Sequence, residues 1–208
     1  MMNSTMEAGP LNITLPITLE GQAVRLEPIR RDHSELFWNV AKDDLEDIFR
    51  WIPYAVRTSQ DFVKLVEKAF DEQQKGESIV FATVERASNQ VVGSTRFMNI
   101  DRVNRRVEIG STWIARAWQR TAVNTEAKYL MLQHAFEVWG CMRVELKTDA
   151  LNQKSRNAIQ RIGAKEEGTL RRHLLTWTGR VRDTVYFSIL DSEWPVVKTQ
   201  LQRRLAGT

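Results

Sequence analysis

ValGluIleGlySerThrTrpIle (107–114), AlaArgAlaTrpGlnArg (115–120) and ThrAlaValAsnThrGluAlaLysTyrLeuMetLeuGlnHisAlaPheGluVal (121–138) decide how this chain folds. The first block reads as a strand. The last places Val123, Ala127, Leu130, Met131, Ala135 and Val138 at helical spacing, so a helix is expected from about Thr121 onward. A strand that runs through a short polar turn into a helix aims a row of N–H groups, free of intrahelical acceptors, at whatever lies beyond it. An anion suits that place. Gln119, Arg120, Thr121, Ala122, Val123, Asn124 and Thr125 form the candidate cradle, with Arg116 and Arg120 adding charge. The alternative is a plain polar turn in which Thr121 or Thr125 caps the helix.

Upstream, Gly21 to Pro28 reads as a strand. Asp32 and Glu35 have the spacing of a capping box before the stripe Leu36, Phe37 and Val40, which predicts a helix to Ala41. A short helix over Asp44 to Trp51 ends before Pro53, and Ser59 or Asp61 opens a third with Phe62, Leu65, Val66 and Phe70. The period then changes. Residues 78–84 and 91–98 flank a turn at 87–90 as a hairpin, and a further turn at Asp101 to Asn104 leads into 106–114. Beyond the central helix, Gly140 suits a left-handed cap, 142–148 reads as a strand, 152–162 as a helix stopped by Gly163, and 164–176 with 181–190 as a last hairpin. Glu193 to Leu205 is expected to be a terminal helix.

The 208 residues, 42% of them hydrophobic, suffice for one sizeable core. Lysine and arginine exceed the acids by 30 to 26 but are interleaved with them, which favours an anionic ligand over a nucleic-acid surface. One cysteine, Cys141, rules out an intramolecular disulfide and any multi-cysteine metal site. No HExxH or CxxC pattern links His33, His134 and His173, so no metal is expected. No apolar run reaches the length of a membrane span and no secretion signal opens the chain, so a cytoplasmic protein that binds neither membrane nor nucleic acid is expected.

Two further constellations carry chemistry. Glu108, between Val107 and Ile109, points to the face opposite theirs. It is either a carboxylate beside a cleft, suited to act as a general base, or one half of a cross-strand ion pair with Arg96 or Arg106. AsnGlnLysSer (152–155) opens the helix after strand 142–148, where Asn152 and Ser155 either meet a ligand or cap the helix.

Taken in order, strand 107–114, turn 119–125, helix 121–138, strand 142–148 and AsnGlnLysSer before ArgIleGlyAla (161–164) resemble the GNAT superfamily of N-acetyltransferases. GluGlyGlnAlaValArgLeuGluPro (20–28), GluGlyThrLeuArg (167–171), GlyArgValArgAsp (179–183), TyrPheSerIleLeu (186–190) and GluTrp (193–194) are similar to its Rim-type branch, the ribosomal-protein-alanine N-acetyltransferases. The resemblance implies a mixed α/β fold whose mostly antiparallel sheet is splayed between two parallel strands and covered by helices on both faces. Residues 1–17 would be a loose segment and 18–208 a single N-acetyltransferase domain.

It also implies acetyl-coenzyme A as co-substrate. The pantetheine arm would meet the main chain near Trp113 and Ile114, the pyrophosphate would rest on Gln119 to Thr125, and Asn152 and Arg161 would complete the cofactor contacts. Ser155 would protonate the departing thiolate, a role that some members give to tyrosine; Tyr54, Tyr129 and Tyr186 do not fall near that position. One departure is plain: the family's loop reads Q/RxxGxG/A, and here Ala122 and Asn124 stand where small residues are usual. The acceptor would be a small-molecule or peptide amine, contacted by residues 29–60 and 171–183, with a homodimer as the possible assembly. The alternative from another class is a non-catalytic coenzyme A-binding or regulatory protein on the same scaffold.

Overall fold

Ser78–Glu85 (β3) and Gln90–Asp101 (β4) are rich in β-branched and aromatic residues, and their hairpin lies near the middle of the sheet. The computed structural model describes residues 9–207. Around the hairpin it adds β1 (Leu19–Glu20), β2 (Val24–Pro28), β5 (Arg106–Ile114), β6 (Arg143–Asp149), β7 (Lys165–Leu175) and β8 (Val181–Leu190). The eight strands lie in the order β1-β2-β3-β4-β5-β6-β8-β7, and every neighbouring pair is antiparallel except β5 and β6. That one parallel junction requires a crossover, which α4 (Ala122–Gln133) supplies. The helices α1 (His33–Ala41), α2 (Leu45–Phe49), α3 (Ser59–Gln74), α5 (Gln153–Arg161) and α6 (Trp194–Leu205) complete the mixed α/β architecture.

Because β5 is covered on both sides, its alternation splits two cores. Val107 and Ile109 face α4, with Phe97, Val144, Ala127 and Met131. Trp113 faces the other way, into the aromatic cluster that α1 to α3 lay on the sheet, where its ring centroid lies 5.2 Å from that of Phe37 and 5.4 Å from that of Phe49.

Several local expectations change. Asp32 precedes α1 but makes no side-chain cap, because Arg30 holds its carboxylate through two bonds of 3.2 Å; the capping box forms instead at α3, between Thr58 and Asp61. The central helix is α-helical only to Gln133, and its last turn, 134–138, widens into a π-turn before Gly140 turns the chain at φ +69°. Within the segment expected to be loose, two side chains are anchored. Leu11 and Ile17 are buried in the core beneath α4, and Leu11 N–H donates to the Arg102 carbonyl at 3.1 Å. Residues 1–8 lie outside the described residues.

One polar contact fixes where α4 begins. Glu126 is buried, and its carboxylate accepts the main-chain N–H groups of Gln22, Ala23 and Val24 at 2.8, 2.6 and 2.8 Å. Gly21 permits this approach, since a Cβ there would lie 2.4 Å from the carboxyl carbon. Glu126→Ala leaves three donors without their acceptor. It is expected to lower unfolding stability by about 3 kcal/mol in urea titrations, whereas an exposed carboxylate such as Glu46 changed to alanine is expected to move it by less than about 0.5 kcal/mol.

Candidate active site

β5 and β6 are in register for three residues only, Arg106 with Arg143, Val107 with Val144 and Glu108 with Glu145; beyond them no pairing continues, although β5 runs on to Ile114 and β6 to Asp149. Two irregularities shape this parting. Thr95 of β4 opposes both Ser111 and Thr112 of β5, a bulge with Ser111 at φ +46°. Further along, the register shifts again between Met98 and Asp101, where Asn99 sits at φ +50°. With Arg120 at φ +63°, Ser111 is one of two non-glycine residues in the left-handed region that line one cleft, each costing roughly 1 kcal/mol or more, while Asn99 reaches it only through its bond to Glu108 at 2.8 Å.

The cleft has a volume of about 680 Å³. Ten of the residues expected from the sequence line it: Glu108, Trp113, Ile114, Gln119, Arg120, Thr121, Asn124, Asn152, Ser155 and Arg161. Three do not. Val123 is buried in the core, Thr125 is buried and receives the Arg161 guanidinium at 3.4 Å, and Ala122 is the exposed first residue of α4. At the mouth, the Thr121 hydroxyl accepts from Val123 N–H at 3.3 Å, so the capping reading of Thr121 holds, and the Ala122 and Asn124 amides remain as first-turn donors. Gln119 crosses the opening: its Nε2 donates to the Ile114 carbonyl at 2.9 Å, and its Oε1 accepts from Lys154. Asn152 also caps, its Oδ1 accepting Ser155 N–H at 3.0 Å. Both capping alternatives are therefore realised, on residues that still line the cleft.

This donor set fits a coenzyme A pyrophosphate and arm. Arg120, Lys154 and Arg161 gather positive charge around a helix start, while Ile114, Leu146, Ile159 and Ile162 make an apolar wall deeper in. A model of the acetyltransferase (GNAT) domain matches residues 23–165. The chain belongs to the GNAT family. Among its relatives, the Bacillus subtilis (strain 168) protein YdaF, provisionally named a ribosomal N-acetyltransferase, is 38% identical over 102 residues, which is 49% of this chain and 55% of YdaF. A GCN5-related N-acetyltransferase from Brucella melitensis superposes with a TM-score of 0.89 at 33% identity, over 96% of this chain and 90% of that one. The fold alone is shared with MccE, a microcin C7 self-immunity acetyltransferase crystallised with acetyl-CoA and AMP: TM-score 0.74, 19% identity, 82% of this chain and 93% of MccE.

In this GNAT domain Glu108 is 2% exposed and is ion-paired, with Lys147 rather than with Arg96 or Arg106. Glu72 takes Arg96, and Asp101 with Glu145 takes Arg106. Both partners of Glu108 use one oxygen: Asn99 and Lys147 donate to Oε2 at 2.8 and 2.9 Å. Its Oε1 lies over Gly110, where a Cβ would come within 3.0 Å. A bare glycine thus leaves one carboxylate oxygen open.

Two cleft residues were not foreseen. Tyr54, set aside by its distance in sequence, reaches the cleft beside Ser111, and burial pushes its hydroxyl pKa up. Lys128, on the second turn of α4, is buried; its Nζ donates to Thr112 Oγ1 at 2.6 Å and to Thr95 Oγ1 at 3.0 Å. Its signal in the sequence was a lysine amid the apolar stripe of the central helix, at 128 between Ala127 and Leu130. Among the described residues no metal-holding group of His, Cys, Asp or Glu occurs, and no helix is long and apolar enough to cross a membrane.

Desolvation lowers the Lys128 pKa to about 7 from 10.5. The unfolded chain therefore takes up a proton that the folded chain refuses as pH falls from about 10.5 to about 7. The resulting destabilisation is complete below pH 7 and vanishes above the unfolded value. Replacing Lys128 with methionine is expected to stabilise the protein more at pH 6 than at pH 10.5, the difference being on the order of 4 kcal/mol in denaturant titrations at the two pH values.

Proposed function

We propose that this protein moves the acetyl group of acetyl-coenzyme A to a primary amine, a protein N-terminal α-amine or a small-molecule amine, by direct transfer in the cytoplasm. The observation that carries the reading is the parting of β5 from β6 after Glu108 and Glu145, with a basic helix start at its mouth. When bound, acetyl-coenzyme A supplies an activated acyl group, and the chain supplies position and proton management.

Glu108 accepts the proton of the attacking amine through Oε1, directly or by way of a water, while Asn99 and Lys147 hold Oε2. Ser155 donates a proton to the departing thiolate; its main-chain N–H is committed to Asn152, and that bond orients the residue at the start of α5. Arg120, Lys154 and Arg161 bind the phosphates. The acceptor enters beside Ile48, Trp51 and Tyr54 on one side and Leu174 and Arg182 on the other, residues that line the far end of the same cleft. An α-amine, with a pKa of about 8, is neutralised more easily than a lysine at about 10.4, a difference of roughly 3 kcal/mol that favours the α-amine. YdaF, which is named as a ribosomal N-acetyltransferase, supports an acceptor amine on a macromolecule.

A thiol-release screen over peptide N-termini and small amines tests the reading directly. With the best acceptor, Glu108→Gln is expected to reduce kcat by about 10²–10⁴-fold while calorimetry still detects acetyl-coenzyme A binding. Unchanged turnover would remove Glu108 from the role of base. Ser155→Ala is expected to reduce kcat more than Tyr54→Phe does, and the opposite order would pass the proton-donor role to Tyr54. Lys154→Ala is expected to raise the KM for acetyl-coenzyme A several-fold with little change in kcat, as befits a lost phosphate contact.

A further inference from the structure

Lys128 has surroundings that suit an amine better than an ammonium ion. It is 6% exposed, and no carboxylate lies within ion-pair distance of it among the described residues. Its hydrogen-bond partners are two threonine hydroxyls, which also bond each other at 2.8 Å. A neutral amine has two N–H groups and one lone pair. Thr95 and Thr112 take the two N–H groups, so the lone pair is left over.

Position adds to this. Lys128 is part of the wall of the cleft that also contains Glu108 and Ser155. Thr112 belongs to the β5 bulge, two residues before Ile114, where the two parallel strands have already separated. Strand alternation across the bulge puts Val107, Ile109 and Thr112 on the α4 side of β5 and Glu108 on the opposite side. Lys128 and Glu108 therefore reach one gap from its two faces.

We infer that Lys128 is a self-acetylation site, taking the acetyl group of bound acetyl-coenzyme A when no acceptor amine is in the cleft. The inference rests on the proposed function. The Nζ lone pair forms the new N–C bond with the thioester carbonyl carbon, and the C–S bond breaks. Sulfur leaves as a thiolate and takes up the proton that nitrogen releases, so the products are Nε-acetyl-Lys128 and free coenzyme A thiol. Burial, which brings the Lys128 pKa to about 7, keeps a large fraction of the amine neutral at neutral pH. Acetylation replaces one N–H with an acyl group on the cleft floor. It fills space beside the bulge, removes one of the two threonine bonds and lowers turnover. The modification is thus a self-limiting switch that acts when acetyl donor is abundant and acceptor scarce.

The full chain is incubated with acetyl-coenzyme A without acceptor, and acetylation is mapped by peptide mass spectrometry, with Lys64, whose side chain is 69% exposed, as internal control. The expected result is at least tenfold faster acetylation at Lys128 than at Lys64. A large excess of coenzyme A is expected to abolish that preference by competing for the cleft while leaving Lys64 unaffected. Pre-acetylated protein is expected to show reduced thiol release with a good acceptor. Calorimetric binding of acetyl-coenzyme A with Lys128 unmodified, or modified no faster than Lys64, would overturn the inference and leave the proposed function standing; such a Lys128 would only pin the bulge to α4. Failure to bind acetyl-coenzyme A at all would overturn both.

Discussion

Everything that positions the cleft depends on β5 and β6 pairing over three residues and then separating. A parallel pair that stayed zipped would leave no room between its strands, and main-chain groups along the inner edges of 109–114 and 146–149 would be spent on each other. Separation leaves those groups in need of partners. Water, side chains or a ligand must supply them, because buried main-chain donors and acceptors are not left unpaired. Gln119 already does so for the Ile114 carbonyl. The Ser111 bulge is the local cause on one side, since an extra residue opposite Thr95 bends β5 and increases its twist. On the other side β6 follows β8 in unbroken register from Arg143 to Asp149 and cannot follow β5.

The α4 helix is seated by two buried charged side chains that solve opposite problems. Glu126 receives three main-chain N–H groups and ties the first turn to the β1–β2 corner. Lys128 receives no counter-charge, reaches the bulge and is pushed toward the neutral state by desolvation. Both lie where an apolar residue would pack the helix more simply. Their presence fits a helix whose start must be held at a fixed place relative to a bent strand. The first turn of α4 and the bulge then face the same cleft with little freedom to move apart.

Charge in the cleft is divided along its length. At the mouth, Arg120, Lys154 and Arg161 surround a helix start with no carboxylate paired to any of them among the described residues, an arrangement suited to a phosphate. Deeper in, the cations are already matched: Arg96 with Glu72, Lys147 with Glu108, and Arg182 with Asp149, which Arg180 also pairs from outside the cleft lining. That end of the cleft is a nearly neutral wall with aromatic and aliphatic residues. On the proposed reading, acceptor specificity there would depend on shape and on the open Glu108 oxygen more than on net charge.

The order of elements was legible in the sequence because it depends on local periods: 106–114 as a strand, Thr121 at the helix start, and Gly140 and Gly163 as turns at positive φ. So were the residues of the cleft mouth, since a strand, turn and helix of that pattern bring their own donors together. What the sequence could not show was pairing across distance. Asp32 has the spacing of a cap but loses its carboxylate to Arg30, and Glu108 finds Lys147, 39 residues away, rather than its neighbours in the hairpin. Tyr54 and Lys128 became cleft residues only when α1 to α3 and α4 packed on opposite faces of one bent strand. Local hydrogen bonding and hydrophobic period thus determined the fold and half of the cleft. The charge state, partners and accessibility of the reactive groups were decided by the tertiary structure, because burial and ion pairing depend on which chain segments meet.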